Sequence, residues 1–389
     1  RSPSRGLGDV YKRQNTNCAK WDELIEKVGI PDIISLTVAD MDFVVAPEIQ
    51  QAVLNAAVHG IYGYTNVSKN YIDLSHKWIT EKYHCELKKE WIVFCPRVIQ
   101  AISLCIQNMT CVDDKIIVFT PLYGSILNAI RENNRELVTS TLNYNNGHYE
   151  IDFRDFEKKL SSGVKMLIMV SPHNPIGRVW DRDEIDRIVA LCKKYEVLIF
   201  SDEIHADFVW DKKFVSFGSF LNDYDKIVIG TSPAKTFNIA GLEASNIIFK
   251  NVELRNLFIN ILRQSGIHNP SYFCIPAVEA AYRYGDEWLK LAKKEILGNI
   301  EFAKNFFSNE LKGFEVIKTE GTYTLWVDYR KTGMSEEQMY DLMINKANVA
   351  FSLGSGFGKE GEGFVRINVA TPRKLLEKAF ERFKKAICN

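Results

Sequence analysis

Short apolar segments rich in Val, Ile and Phe alternate with longer amphipathic segments between residues 91 and 249. This alternation is typical of βα units and predicts a mostly parallel sheet. The apolar segments are almost continuous, as in strands that are covered on both faces. Seven strands are predicted: WIVF (91–94), KIIVF (115–119), ELVTSTL (136–142), VKMLIMV (164–170), VLIFS (197–201), KIVIG (226–230) and SNIIF (245–249).

Helical periodicity lies between these strands, for example at 99–109 and 182–195. Beyond about residue 280 the pattern changes to long charged segments, predicted as helices at 285–311, 335–346 and 374–387, with the strand-like pieces TYTLWVDY and GFVRINVA between them. We therefore predict an α/β protein with two domains. Residues 45–280 form a large domain with helices on both faces of the sheet, and residues 15–44 with 281–389 form a smaller α+β domain.

The first fourteen residues, RSPSRGLGDVYKRQ, follow neither pattern. They lack the apolar core of a signal peptide. Because GDVYKRQ resembles the translation of a sequencing-library adapter, we expect residues 1–14 to be a non-native extension.

Composition and charge argue against nucleic-acid binding, membrane insertion and metal binding. The 49 Lys and Arg residues balance 49 Asp and Glu residues, and no basic run is interleaved with aromatic residues as nucleic-acid binding would require. No apolar stretch approaches the roughly 18–20 residues that span a bilayer. The eight cysteines form neither a CxxC pair nor a metal-like cluster with histidine. We expect a cytoplasmic protein that acts on small molecules, with no nucleic-acid partner, no membrane partner and no metal.

Polar side chains follow four of the predicted strands. Tyr123 comes after KIIVFTP, Asn174 after MLIMVSPH, Asp202 directly after LIFS, and Lys235 after IVIGTSPA. Because ligands of open parallel sheets bind at the carboxyl ends of the strands, we expect these four side chains to surround one planar ligand. A Schiff-base lysine needs an electron sink, and pyridoxal 5′-phosphate (PLP) is such a sink when a carboxylate keeps its pyridine nitrogen protonated. The set predicts a PLP site.

Each residue of the set also has a simpler interpretation. Lys235 alone is most simply a solvated loop lysine, and Asp202 could cap a helix. At about 4 Å and an effective dielectric constant near 20, however, Asp202 would stabilise a protonated ring by about 4 kcal/mol. Asn174 lies in a turn but can donate to the phenolic oxygen of the ring. Tyr123 can stack on the ring or simply pack, and His205 can lie near the same oxygen or be a structural histidine.

Two anionic groups of the expected ligands require receptors. Pro96 opens a predicted helix, so the backbone amides of Val98 and Ile99 would face the cofactor phosphate, and Ser232 can add its hydroxyl. Arg366 alternates with apolar residues in GFVRINVA. A buried arginine is costly unless it is paired, so it either receives the carboxylate of an amino-acid substrate or forms an internal ion pair.

Several motifs occur in one order along the chain and carry a family resemblance: VADMDF (38–43), GYT (63–65), WIVFCP (91–96), SPHNPIGRVW (171–180), SDEIH (201–205), TSPAKTFNIAG (231–241) and RINVA (366–370). With these motifs the chain resembles the MalY/PatB-type cystathionine β-lyases, a branch of the class I/II aminotransferase-fold PLP enzymes. The resemblance runs from about Cys18 to the C-terminus. It implies the PLP-dependent transferase fold of type I.

The resemblance also implies roles for single residues. Tyr64 would reach the phosphate of the cofactor bound by the other subunit, which implies a homodimer. The other implied roles are Lys235 as the residue that carries the cofactor, Asp202 as the pyridinium partner, Asn174 as the ligand of the phenolic oxygen, Tyr123 as the ring-stacking group, and Arg366, with Asn174, as the receptor of the substrate carboxylate.

The chain departs from the usual pattern of this branch at four positions. Arg97 replaces a glycine, Ala234 a serine and Thr37 a tryptophan, and Gly356 lies in a segment that usually reads GSWFG. Aspartate aminotransferases carry an arginine eight residues after the lysine, where this chain has Glu243, and this difference favours the lyase branch.

The expected reaction is β-elimination on cysteine-type thioether amino acids. Cystathionine would give homocysteine, pyruvate and ammonia, and cysteine would give sulfide. Two alternatives remain open from sequence: an aminotransferase acting on a small or aromatic amino acid, which would use the same lysine, aspartate and arginine, and a regulatory binding protein that keeps the PLP fold.

Overall fold

The structure, a computed structural model, describes residues 13–388. Its strands are β1 (Ile34–Ser35), β2 (Ile92–Cys95), β3 (Lys115–Thr120), β4 (Glu136–Thr141), β5 (Asn143–Asn145), β6 (His148–Glu150), β7 (Val164–Val170), β8 (Leu198–Asp202), β9 (Ile227–Thr231), β10 (Ser245–Phe249), β11 (Glu315–Val316), β12 (Thr324–Asp328), β13 (Val349–Ala350), β14 (Ser352–Leu353) and β15 (Phe364–Asn368).

The α-helices are α1 (Asp22–Val28), α2 (Pro47–His59), α3 (Lys69–Tyr83), α4 (Val98–Met109), α5 (Gly124–Glu132), α6 (Phe153–Leu160), α7 (Arg182–Lys194), α8 (Pro233–Thr236), α9 (Val252–Gln264), α10 (Cys274–Tyr284), α11 (Asp286–Glu310), α12 (Glu336–Asp341) and α13 (Arg373–Cys388). A π-helical segment, Leu342–Lys346, follows α12.

A seven-stranded sheet in the order β2-β10-β9-β8-β7-β3-β4 contains all seven predicted strands. Strands β4, β3, β7, β8 and β9 run parallel, and only β10 pairs antiparallel with its two neighbours. Alternate residues of β3 enter two hydrophobic cores, Ile117 and Phe119 on one face and Ile116 and Val118 on the other. The α/β prediction, with a mostly parallel sheet buried on both faces, is confirmed.

A second sheet, in the order β11-β12-β15-β14, is antiparallel and belongs to the C-terminal part of the chain. Helices α11 and α13 pack together, with Phe302 and Phe380 stacked at 5.8 Å between ring centroids. The parallel pairing of β1 with β13 joins the segment near residue 34 to this C-terminal part. This pairing agrees with a small domain built from both ends of the chain, although the boundaries 45–280 and 15–44 with 281–389 stay predictions.

Most of the proposed extension, residues 1–12, lies outside the described residues. Arg13 lies inside them and donates to the carboxylates of Asp40 at 2.8 Å and Asp42 at 2.9 Å. The non-native origin of residues 1–14 stays a prediction.

Three further observations concern residues 13–388. None of their helices combines the length and the apolar composition that crossing a bilayer requires. Their His, Cys, Asp and Glu side chains form no group of three that could hold a metal ion. All eight cysteines are free thiols.

Candidate active site

Lys235 lies on α8, a four-residue helix that directly follows β9. The helix begins with Pro233 after Ser232, whose side chain accepts the backbone N–H of Ala234 at 3.0 Å. The Lys235 amine does not point into bulk water but donates to the carbonyl of Ala39. Burial lowers the pKa of Lys235 to about 8, which leaves part of the amine neutral near physiological pH.

Asp202 is the last residue of β8, in register with Gly230 of β9. Its carboxylate is 8% exposed and accepts the N–H of Ile204 at 3.1 Å. Residues 204–207 form a turn, so Asp202 caps no helix. Burial raises the pKa of Asp202 to about 7, and the positive charge of Lys235 opposes that rise. A protonated ring nitrogen beside this carboxylate would supply the cation that its burial requires.

Arg366, in the middle of β15, is a buried cation that forms no ion pair with an acidic side chain in residues 13–388. Its guanidinium donates to Asn174 Oδ1 at 3.0 Å and to the carbonyl of Thr37 at 2.9 Å, and lies 4.8 Å from the ring centroid of Phe357. Its Nε has no hydrogen-bond partner among these residues. Burial lowers the pKa of Arg366 to about 10. The internal ion pair that sequence left open does not form in the described residues, and the role of Arg366 as the receptor of a substrate carboxylate stays a prediction.

Tyr123 and Asn174 lie side by side because they follow adjacent strands, β3 and β7. The backbone N–H of Tyr123 donates to the carbonyl of Asn174 at 3.1 Å. Because a guanidinium can only donate, Arg366 fixes the oxygen of the Asn174 side chain on its own side and leaves the amide NH₂ available as a donor. The Tyr123 side chain is 38% exposed at the start of α5, where a flat ligand can reach its ring.

His205 is buried at 3% exposure and lies near enough to Lys235 and Arg366 for their charges to act on it. Its ring meets the ring of Tyr323 edge to face at 5.5 Å. Burial, with the charges of Lys235 and Arg366, lowers the pKa of His205 to about 3, so the imidazole is neutral. Its Nδ1 has no partner in the described residues, unlike a fully satisfied structural histidine.

The predicted phosphate receptor is present in part. Helix α4 begins at Val98, and its first amides, including those of Val98 and Ile99, have no acceptor within the helix. The Ser232 hydroxyl donates to the carbonyl of Ala244 at 2.6 Å. The hydroxyl hydrogen of Ser232 is therefore already used in a bond within the protein. The role of Ser232 at the phosphate stays a prediction. Arg97, which precedes the helix and departs from the pattern of the branch, pairs with Glu243, the residue that stands where aspartate aminotransferases have an arginine.

Tyr64 is 99% exposed and lies in an open groove. Tyr62, His268 and Tyr272 line the same groove, which contains no other residue of the candidate site. The fold of one chain therefore does not bring Tyr64 to Lys235.

Sequence reasoning missed two contributors to the site. Tyr323 is fully buried and donates to the carbonyl of Ala39 at 2.9 Å, the same carbonyl that receives Lys235. Asn238 accepts the N–H of Met41 at 3.1 Å and so joins the lysine motif to the VADMDF motif. Both residues lie inside motifs that the sequence displays, but their partners are 284 and 197 positions away in the chain.

Buried polar atoms without a partner show whether the site fits a polar cofactor. In residues 13–388 such atoms include the hydroxyls of Thr120, Ser171 and Thr231, Nδ1 of His205 and Nε of Arg366. Three of these residues end or follow β3, β7 and β9, which are parallel strands of the same sheet. Since buried polar groups normally have partners, this group is suited to a ligand with several oxygen and nitrogen atoms. A lysine, a buried carboxylate, an amide and a helix N-terminus at one sheet edge fit PLP.

Fold and site together define an α/β protein with a lysine of lowered pKa at the carboxyl edge of its sheet. The chain belongs to the family Aminotransferase class I and II, whose model matches residues 31–383. The family predicted from the motifs is thereby confirmed.

Individual relatives are similar over nearly the whole chain. Cystathionine beta-lyase PatB of Bacillus subtilis is 34% identical, with 97% of this chain and 98% of PatB covered. Among solved structures, a PLP-bound putative aminotransferase from Clostridium difficile is 37% identical with a TM-score of 0.94, covering 98% of each chain. The PLP-bound C-S lyase from Staphylococcus hominis is 31% identical with a TM-score of 0.90, covering 98% of this chain and 97% of its own.

Proposed function

We propose that the chain is a PLP-dependent carbon–sulfur lyase of the cystathionine β-lyase type. Its substrates are cysteine-type thioether amino acids, and its reaction is β-elimination. The observation that carries the proposal is a group of three side chains whose charges interact: the buried Arg366, which has no acidic partner in residues 13–388, the half-buried Lys235 and the buried Asp202.

Five parts of the chain would hold the cofactor. Lys235 would bind its aldehyde carbon, Asp202 its ring nitrogen, Asn174 its phenolic oxygen, Tyr123 the face of its ring, and the N-terminus of α4 its phosphate. When bound, PLP supplies an electron sink that stabilises negative charge at the substrate Cα.

The chain's own residues perform the remaining steps. Arg366 binds the substrate carboxylate with two parallel N–H donors, and this fixes the orientation of the Cα–H bond. The Lys235 amine, with a pKa lowered to about 8 by burial, accepts the Cα proton. The Cβ–S bond then breaks, and its electron pair leaves with sulfur. Addition of water to the remaining three-carbon fragment gives pyruvate and ammonia, so cystathionine and water yield homocysteine, pyruvate and ammonia.

The choice of elimination over amino transfer is supported by the relatives. PatB is named a cystathionine beta-lyase, and a solved relative from Staphylococcus hominis is named a C-S lyase. Glu243 also lies where the aspartate aminotransferase pattern has an arginine, and it is engaged with Arg97.

Product analysis tests the proposal. Purified holoprotein is incubated separately with cystathionine, cysteine and alanine, and pyruvate, thiol and ammonia are assayed in each. We expect equal amounts of all three products from cystathionine, sulfide with pyruvate from cysteine, and none from alanine, which has no leaving group. Lys235→Ala is the inactive control.

Addition of a 2-oxo acid identifies the alternative reaction. An aminotransferase would consume amino acid only when a 2-oxo acid is present and would release no thiol. Thiol without pyruvate, or turnover that depends on the 2-oxo acid, contradicts the lyase proposal. Activity that persists in Lys235→Ala contradicts any PLP chemistry at this lysine.

A homodimer with Tyr64 contributed across the interface is part of the same proposal. Leu54, Val58, Ile61 and Tyr62 are 50%, 86%, 70% and 57% exposed, and Tyr64 extends from the same segment. Apolar groups clustered in this way are typical of a protein–protein interface. A second copy of the chain would cover them and bring Tyr64 to the phosphate. A cytoplasmic location is proposed as well, supported by the eight free thiols.

A further inference from the structure

Asp207 is a buried carboxylate that receives three side-chain donors. Thr236 Oγ1 donates to its Oδ2 at 2.6 Å, Tyr83 Oη donates to the same oxygen at 3.0 Å, and Trp78 Nε1 donates to Oδ1 at 3.2 Å. The Lys293 amine donates to the backbone carbonyl of Asp207 at 2.6 Å. We call Asp207 with these four partners the Asp207 cluster. All three side chains donate to the carboxylate of Asp207. The cluster therefore suits the ionised form of Asp207, which can only accept hydrogen bonds.

One peptide bond connects the Asp207 cluster to Lys235. Thr236 directly follows Lys235 and is the last residue of α8. A four-residue helix is too short to be stable by itself, so its position depends on its anchors. At its N-terminus the anchor is Ser232, and at its C-terminus the anchor is the bond from Thr236 to Asp207.

Aromatic packing around the Asp207 cluster also holds Phe237, the residue that follows Thr236. Phe237 is fully buried and meets the ring of Trp78 at 5.3 Å between centroids. Trp78 therefore contacts both the residue that follows α8, through its ring on Phe237, and the carboxylate that anchors α8, through its N–H on Asp207. Helix α3, which carries Trp78 and Tyr83, thus supports the C-terminal end of α8.

We propose that Asp207 is a positioning residue that acts through Thr236 to set the place of the Lys235 amine. It touches neither the amine nor any group of the candidate site, so its effect is on geometry. Proton transfer is sensitive to displacements well below 1 Å, and the bond from Thr236 to Asp207 is the side-chain anchor nearest to Lys235 on its C-terminal side, ahead of the anchors at Phe237 and Asn238. This inference rests on the proposed role of Lys235 but on no particular substrate.

Two substitutions each remove one donor from the same carboxylate oxygen. Thr236→Val keeps the shape of Thr236 and removes its hydroxyl next to Lys235, whereas Tyr83→Phe removes a hydroxyl on α3. We expect Thr236→Val to lower kcat about tenfold with KM within about twofold of wild type. We expect Tyr83→Phe to lower the thermal midpoint while kcat stays within about twofold. Thr236→Ser restores the hydroxyl and should restore kcat.

A spectroscopic measurement needs no turnover. The visible absorbance of the bound cofactor in each holoprotein is titrated with pH. A displaced lysine alters the charge environment of the ring, so the midpoint should shift in Thr236→Val by more than about half a unit and stay at the wild-type value in Thr236→Ser and Tyr83→Phe.

Several outcomes overturn the inference. They are equal losses of kcat in Thr236→Val and Tyr83→Phe, a wild-type titration in Thr236→Val, or failure of Thr236→Ser to restore the rate. If Thr236→Val does not fold, the smaller Thr236→Ala is compared with Tyr83→Phe by the same two measurements. A wild-type protein that makes no thiol and no pyruvate contradicts the proposed function instead, while the titration still decides the role of Asp207.

Discussion

At the scale of single residues, burial determines how the site can react. Lys235, Asp202, His205 and Arg366 all have pKa values moved by burial towards their neutral forms, to about 8, 7, 3 and 10. Displaced pKa values that cluster in one place are typical of functional sites. The neutral His205 and the still-charged Arg366 divide the site into a part that accommodates a ring and a part that attracts an anion.

Replacement of Arg366 by lysine tests the anion receptor. A lysine keeps the positive charge but cannot form two parallel hydrogen bonds with a carboxylate. We expect Arg366→Lys to raise KM for cystathionine about 100-fold with a smaller effect on kcat. Steady-state kinetics of Arg366→Lys and of a control variant provide the measurement. Arg382→Lys, at an arginine that pairs with Asp32 away from the site, is the control and should behave as wild type. An unchanged KM in Arg366→Lys would remove the carboxylate role.

The lowered pKa of Lys235 predicts how the rate at which the cofactor-free protein binds PLP depends on pH. Only the neutral amine attacks an aldehyde, and burial lowers the pKa of this amine to about 8. The initial rate of reconstitution with PLP should therefore rise as pH rises towards about 8 and level off above it. Stopped-flow absorbance at a series of pH values measures this rate. A rate that keeps rising up to pH 10 would mean that the amine behaves like an exposed lysine.

At the scale of elements, an ion pair joins the loop after β7 to the segment before β12. Arg178 and Glu320 are 3% and 2% exposed and lie 2.6 Å apart, and Glu320 also accepts the N–H of Val179 at 3.0 Å. Burial by itself would raise the pKa of Glu320, but the Val179 N–H and Arg178 outweigh it and lower this pKa to about 2. The turn that carries Asn174 is thereby tied to the second sheet.

Removal of the Glu320 charge should destabilise the protein by about 3 kcal/mol, because the buried Arg178 then keeps Glu184 as its one acidic partner among residues 13–388. Urea unfolding of wild type and Glu320→Gln measures the difference. Glu310→Gln, in the exposed pair with Lys384, is the control and should cost less than about 1 kcal/mol. Because the folded-state pKa is depressed, the contribution of Glu320 is present above its unfolded value of about 4.3 and should disappear as pH falls towards 2. A pH-independent difference would contradict this account.

The helix predicted at 335–346 shows where periodicity was insufficient. The α-helix ends at Asp341, and the wider π turn Leu342–Lys346 follows. Leu342, Met343 and Ile344 are all buried there, whereas a regular α-helix turns consecutive side chains to different faces. Contacts of this turn with α13, which begins 27 residues further along the chain at Arg373, accompany the change.

At the scale of the whole molecule, hybrid dimers test whether Tyr64 acts across an interface. Lys235→Ala and Tyr64→Phe subunits are each expected to be nearly inactive, the first without its lysine and the second with a weakened phosphate site. In a hybrid dimer, the lysine of the Tyr64→Phe subunit meets an intact Tyr64 of its partner. Random mixing after dissociation should restore about a quarter of wild-type activity, from one intact site in half of the dimers.

Two outcomes contradict the cross-subunit role. Mixed subunits that stay as inactive as the separate variants would place Tyr64 within its own subunit or outside the site. A wild-type protein that sediments as a monomer at assay concentrations would remove the interface itself.

The sequence by itself determined the sheet and the residues at its edge. Apolar runs of four to seven residues form strands wherever they are buried on both faces, so the seven strands could be read without contacts. A polar residue at the end of such a strand must lie at the carboxyl edge, which is why Lys235, Asp202, Asn174 and Tyr123 could be named in advance.

Only the tertiary structure decided how these residues are held and charged. The absence of an acidic partner for Arg366 in the described residues, the shared Ala39 carbonyl and the Asp207 cluster all depend on side chains that are brought together from distant parts of the chain. Desolvation, which displaces the pKa values, is likewise a property of the packed interior. Periodicity reports which face of an element is buried, but it does not report which other element covers that face.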